Sequence, residues 1–183
     1  MNILLGISGG IAAYKTPELV RQLRRRGHDV RCLLTANGAR LVAIDALATV
    51  SGHPVTTSMW QEDGSIPHID RGRWAEALLI APATADIIAK CALGLADDLL
   101  STTVLALPPQ TPWFIAPAMN SHMWHKPVVQ AHIASLRAAG CQILGPVDGS
   151  LACGDDGIGA MLDPIAIAEA VGGQQADATR SAP

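Results

Sequence analysis

The stretch "LACGDDGIGAM", residues 151–161, sets the thiol of Cys153 beside Gly154, Gly157 and Gly159 and next to Asp155 and Asp156. A cysteine in so loop-like a segment is either a structural thiol or a proton-transfer group on a hinged loop that closes over a substrate. "PHIDRGRW" sets His68 in a loop ahead of an expected strand, where a histidine is either a surface residue or an acid–base group. "PAMNSHMW" presents Asn120 just after another expected strand, and its amide can bind a carboxylate or cap the turn that follows. Its neighbours Met119, Met123 and Trp124 read as packing.

Two further stretches are built for anions. "GISGGIAAYK" places Gly6, Ser8, Gly9 and Gly10 between a strand and a helix, forming either a tight turn or a backbone cradle for a phosphate. The spacing is not GxGxxG, and Thr35 rather than an acid ends the second strand. That combination favours a mononucleotide such as FMN over NAD. "APATADIIAK" offers Thr84 and the N–H groups of Ala83–Asp86 at a second helix start, where Thr84 is either a cap or part of an anion site. Together, two such starts on one sheet edge are more informative than either alone.

The elements that must carry these groups alternate. Apolar runs at residues 2–7, 29–34, 76–81, 113–116 and 141–144 read as strands. Helical patterns fall at 11–26, 36–49, 85–93, 97–107, 128–139 and 165–171, with a long connection at 52–67. Thr16-Pro17 either starts a second helix or kinks the first. The alternation predicts one α/β domain over 1–171, Rossmann-like or flavodoxin-like, with a parallel sheet between two helix layers. Ligands bind such sheets outside the carboxyl ends of the strands, where most of the unusual stretches fall. Residues 172–183 read as a disordered tail or linker stub.

The bulk composition fits. Of 183 residues, 49% are hydrophobic, and the mean hydropathy is +0.27. The longest uncharged stretch, 99–125, is broken by Pro108, Pro109, Pro112 and Pro117, so it predicts no membrane span. No basic segment with an apolar run behind it suggests a signal peptide. The apolar excess points to a sheet buried on both faces or to a large oligomer interface. A net charge of −3 argues against nucleic acid, and Arg24, Arg25 and Arg26 complement a helix C-terminus. Cys32, Cys91, Cys141 and Cys153 show no CxxC spacing, so neither a metal site nor a disulfide framework is expected, and a reducing cytoplasm fits.

Taken in order, "GISGGIAAYKTPELV", "HIDRGRWAEALLIAPATADIIAK", "GLADDLLSTTVLA", "PAMNSHMW" and "LACGDDGIGAM" resemble the homo-oligomeric flavin-containing cysteine decarboxylases over about residues 1–171. The resemblance is closest to the branch acting on phosphopantothenoylcysteine in coenzyme A biosynthesis. It implies FMN held between subunits of a trimer, with dodecamers of trimers in some members. It also implies cofactor contacts at Ser8, Gly9, Gly10, Ile11, Thr35, Ala83, Thr84, Ala85, Asp86 and Ser101. On the same ground His68 is the active-site histidine, Asn120 holds the substrate carboxylate, and Cys153 reprotonates the intermediate. Met119, Ala152 and Gly154 would line the substrate.

The chain departs from the family's ACGxxGxGRM pattern at Ala160, where the arginine is replaced. The synthetase half that often follows in bacterial relatives is not in this sequence. A peptide-modifying branch, which stops at an enethiol on a C-terminal cysteine, has no need of Cys153. Non-catalytic regulators of a phosphatase carry acidic tails, whereas the tail here has Asp177 alone. Prenylated-flavin synthases lack the PxMNxxMW and ACG pair.

Overall fold

The computed structural model describes residues 1–60, 64–152 and 154–178. Five parallel strands form the sheet: β1 (Asn2–Ile7), β2 (Asp29–Leu34), β3 (Ala77–Ala83), β4 (Trp113–Pro117) and β5 (Gln142–Ile143), in the order β2-β1-β3-β4-β5. This is the flavodoxin-like order, and its switch point lies between β1 and β3. The doubly wound sheet expected from the alternation is therefore present.

Strand residues divide between two apolar layers because side chains alternate along a strand. Ile3, Leu5, Ile7, Val30, Cys32, Leu34, Leu79 and Ala81 join one core. It is covered by α1 (Thr16–Arg25), α2 (Ile44–Ser51) and α8 (Pro164–Ala178). Leu4, Leu33, Leu78, Ile80 and Ile115 join the other. Over that face lie α3 (Pro67–Trp74), α4 (Ala85–Leu93), α5 (Leu99–Ala106) and α7 (Pro127–Ala138). All seven residues of β3 are buried, as a central strand covered on both faces requires. That double burial accounts for much of the apolar excess.

Several local expectations are corrected. The pattern over 11–26 splits into a 3-10 turn, Ile11–Lys15, and α1, so of the two readings of Thr16-Pro17 the second helix start is the one found, with Pro17 in the first turn, where its missing N–H costs nothing. Residues 36–49 hold a short 3-10 turn (Gly38–Arg40) before α2 begins at Ile44. His68 lies not in a loop but in the first turn of α3, started by Pro67. Asn120, in one of its two expected roles, caps the turn that follows, which is a four-residue helix, α6 (Ser121–Trp124). The acid- and glycine-rich segment is not a plain loop either. β6 (Val147–Ser150) and β7 (Asp156–Ala160) pair antiparallel as a separate ribbon. The backbone after Val171, expected to be tail or linker, continues α8 to Ala178.

Candidate functional site

Three turns are locked together at the carboxyl edge of the sheet. Ser8, buried behind β1, donates from Oγ to the Pro82 carbonyl at 2.7 Å and accepts the Thr84 N–H at 3.1 Å. Thr35 Oγ1 accepts the Gly38 N–H at 3.1 Å, closing the turn after β2. A side chain on Gly9 would run into Asn37, and one on Gly10 would press on Pro82 and Thr84 at 3.2–3.3 Å. These two glycines are thus required by close approach, leaving backbone as the surface there. In β3 the register against β4 shifts between Ile80 and Ala83, a bulge that re-aims the strand end beside the site.

Thr84 is the N-cap of α4, its Oγ1 accepting the Ile87 N–H at 3.4 Å. Helix geometry leaves the N–H groups of Ala85 and Asp86 without acceptors inside the helix. The cap and the anion-ready start therefore coexist. Asp86 pairs with Lys90 at 3.5 Å, and Lys90 also meets Asp97 at 3.0 Å and Asp98 at 3.1 Å. Burial opposes the charge on Lys90, but its hydrogen bonds to Asp97 and Asp98 and the field of Asp98 and Asp86 outweigh this and raise its pKa. Asp98 caps α5 in a reciprocal box with Ser101. Burial works against its charge too, yet the Ser101 N–H and Lys90 bring its pKa below the ordinary carboxylate value.

Beside these turns lies a cavity of about 550 Å³, within the range of small-molecule sites. It is lined by Gly10–Ala12, Tyr14 and Lys15 from the turn after β1, by Thr84 and Ala85 at the α4 start, and by Ala118–Asn120 and Met123 from the segment after β4. Ser150–Ala152 and Gly159–Met161 of the ribbon region complete it. The ribbon is fastened there: the Met119 N–H donates to the Gly159 carbonyl at 3.0 Å, and a side chain at Gly159 would collide with the Met119 carbonyl. Asn120 Oδ1 accepts the His122 N–H at 2.8 Å. This orients the amide, with Nδ2 as its donor end.

Of the residues singled out from sequence, Gly10, Ile11, Thr84, Ala85, Met119, Asn120 and Ala152 meet at this cavity. Ser8, Gly9, Thr35 and Ala83 support it from the neighbouring turns, while Asp86 faces Lys90. Ser101 is buried in the α5 cap. His68 does not line the cavity; its Nδ1 is buried without a hydrogen-bond partner among the described residues. Gly154 is exposed with a φ of +88°. Cys153 lies outside the described residues.

Sequence reasoning missed Tyr14 and Lys15, although their positions three and four residues after Ile11 put them on one side of a helical turn. Gly159 and Ala160, noted in the sequence only as parts of the glycine-rich motif, line the cavity together with Met161, because β6 pairs with β7.

Burial pushes the thiols of Cys32 and Cys91 up to about 12 and raises Cys141 as well, and none of the three lines the cavity. A second cavity, of about 310 Å³, lies among α4, α5 and α7 around Cys91, Val104 and Trp113, away from every residue predicted for the site. Among the described residues no group of His, Cys, Asp and Glu is placed to hold a metal ion, and no helix is long and apolar enough to cross a membrane.

The family model described as Flavoprotein matches residues 1–175. The coenzyme A biosynthesis bifunctional protein CoaBC of Escherichia coli (strain K12) is 47% identical over 170 residues, which is 92% of this chain and 41% of that protein. The chain thus spans about two fifths of the length of the curated relatives it matches. A solved PPC decarboxylase mutant complexed with pantothenoylaminoethenethiol superposes with a TM-score of 0.84 at 34% identity, covering 93% of this chain and 95% of that one. The FMN-dependent cysteine decarboxylase SpaF superposes with a TM-score of 0.78 at 33% identity, covering 94% and 97%.

Proposed function

This chain belongs to the Flavoprotein family, and from that membership we propose that it is an FMN-dependent decarboxylase. It converts 4′-phosphopantothenoylcysteine to 4′-phosphopantetheine, the step that precedes completion of coenzyme A, in the cytoplasm. The observation that carries the reading is the cavity itself. It joins the glycine turn and the α4 start to Asn120 and the ribbon that precedes and follows Cys153. Side-chain-free backbone at Gly9 and Gly10, and the open N–H groups of Ala85 and Asp86, fit the phosphate end of FMN.

Bound FMN supplies a reversible hydride acceptor, which turns the thiol-bearing carbon into an electron sink beta to the carboxylate. The chain's own groups orient the substrate and move its protons. Asn120, its Oδ1 engaged in the α6 cap, turns the donor end of its amide to the substrate carboxylate. His68 assists removal of the thiol proton. Cys153 returns a proton to the carbon from which CO2 has left, and together with return of the hydride to the thiol-bearing carbon this would release a saturated thiol. The described thiols, raised by burial and away from the cavity, do not compete for this role.

His68 stands off the cavity of its own chain. We assign it to the cavity of a second copy, within a homotrimer or a dodecamer of trimers. The exposed Ile11, Tyr14, Met123 and Ile158 around the ribbon and the 3-10 turn suit that interface.

A second reading, decarboxylation of a C-terminal peptide cysteine to an enethiol, draws on the likeness to SpaF. The ACG sequence at 152–154 favours the first. Incubating the FMN-loaded protein with 4′-phosphopantothenoylcysteine and, separately, with a cysteine-ended peptide separates them. CO2 release from the former alone supports the proposal; release from the peptide alone transfers the site to the second reading.

A further inference from the structure

Two guanidinium groups come together where α3 lies over β2, away from the 550 Å³ cavity. Arg31 of β2 stands two residues before Leu33 and so on the same face of the sheet. Its guanidinium stacks on Trp74, with Cζ 4.3 Å from the ring centre, inside the range of a cation–π contact. Arg71 precedes Trp74 by three residues on α3, which sets the two side by side. Arg71 donates from Nε to Thr56 Oγ1 at 3.0 Å. Thr56 is buried and bridged to Leu33, beside the strand that carries Arg31.

Both arginines are partly buried, and neither forms an ion pair among the described residues. Arg26 and Lys90, also partly buried, are paired with Glu169 and with three carboxylates. Burial and the charge of Arg31 lower the pKa of Arg71, and Asp70 only partly opposes them; an arginine nevertheless keeps its charge. Nε of Arg31 is buried without an acceptor among the described residues, and there the terminal nitrogens of both side chains have none either. Two like charges with unused donors are unfavourable in a partly desolvated place unless an anion joins them.

We propose that Arg31 and Arg71 form a phosphate-binding site outside the cavity, taking inorganic phosphate or the phosphoryl group of a small monoester. A phosphoryl group carries about −1.5 to −2 charge near neutral pH and three acceptor oxygens, which balances two guanidinium groups where a carboxylate would balance one. Arginine forks bind it through paired hydrogen bonds. Trp74 and Thr56 hold the two forks in advance, so little ordering is left for the anion to impose. An occupant ties α3, with His68 in its first turn, to β2. The site goes beyond the decarboxylase reading and does not depend on it, since neither Arg31, Arg71 nor Trp74 lines the cavity.

The test is calorimetric titration of the FMN-loaded protein with inorganic phosphate at constant ionic strength, repeated with glycerol 3-phosphate and with acetate. Phosphate is expected to bind with a dissociation constant on the order of 1 mM, as two charged partners near the surface allow. In Arg71→Gln and in Arg31→Gln that constant rises at least about 10-fold. Arg137→Gln, which removes the same charge from the exposed end of α7, leaves it unchanged. Phosphate also raises the melting temperature of the native protein and not that of Arg71→Gln, by mass action; if Arg31→Gln fails to fold, Arg71→Gln carries the test. Tighter binding of glycerol 3-phosphate than of phosphate supports an organic phosphate as occupant, and equal or weaker binding supports inorganic phosphate. No binding of phosphate to the native protein, binding unchanged in Arg71→Gln, an equal loss in Arg137→Gln, or acetate binding as tightly as phosphate overturns the proposal.

Discussion

At Asn120 one residue serves two ends. Its Oδ1 caps α6 through the His122 N–H, so the direction of the amide is set by local helix chemistry before any ligand is considered. Aspartate is isosteric and also a good N-cap. Asn120→Asp is therefore expected to keep its fold and its FMN content while setting a carboxylate against that of the substrate. We expect kcat/KM for decarboxylation to fall by about 100-fold or more, on the scale of a lost charged hydrogen bond plus a new repulsion; steady-state kinetics with a flavin absorbance spectrum checks both halves. The motif around Asn120 was legible in the sequence, since an amide after a strand end needs only the strand to be placed. Lys15 was not, because the cavity it lines is completed by a ribbon contributed from more than 130 residues later in the chain.

The elements most visible in the sequence were those with long apolar runs, such as β1 and β3, and those with strong stops, such as α4 ending before Gly94. Less visible were α3, half of whose residues are polar and which holds a glycine inside it, and the β6–β7 ribbon, whose glycines and acids contradict strand propensity. Tertiary packing overrides propensity in both. Gly72 lets α3 approach the Ala106 carbonyl of α5, and Gly159 lets β7 lie on the Met119 backbone.

Gly159→Ala should accordingly destabilise the protein by about 1–3 kcal/mol, the usual cost of overpacking, and weaken ligand binding at the cavity. Thermal unfolding and substrate KM would register both. The α5 cap makes a separate prediction. The pKa of Asp98 is lowered in the folded state. Its contribution to stability is therefore present above the unfolded carboxylate value of about 3.9 and lost as pH falls through the lower folded value. Asp98→Asn should lower the melting temperature at pH 7 while flattening its decline toward pH 3, in a pH series of thermal unfolding curves.

On the scale of the whole molecule, the strand order brings the turns after β1 and β3 together at the switch point, where flavodoxin-like sheets hold their ligands. The single chain nevertheless keeps His68 off that cavity and leaves Ile11 and Tyr14 more than half exposed beside it, at 57% and 64%. If a second copy supplies His68, the FMN-loaded protein should scatter light as a trimer or a multiple of one at micromolar concentration. A monomer that still binds FMN and turns over would contradict the shared site. Periodicity along one chain carries no sign of such sharing, because the groups that would meet belong to different copies; the expectation of a trimer comes from the resemblance. The most direct measurement of the central claim is the mass of the product released from 4′-phosphopantothenoylcysteine by the FMN-loaded protein. We expect a saturated thiol, lighter than the substrate by one carbon dioxide, with Cys153→Ser releasing instead a product two hydrogens lighter still. Unchanged substrate, or a native product already two hydrogens short and unaffected by Cys153→Ser, would contradict the account.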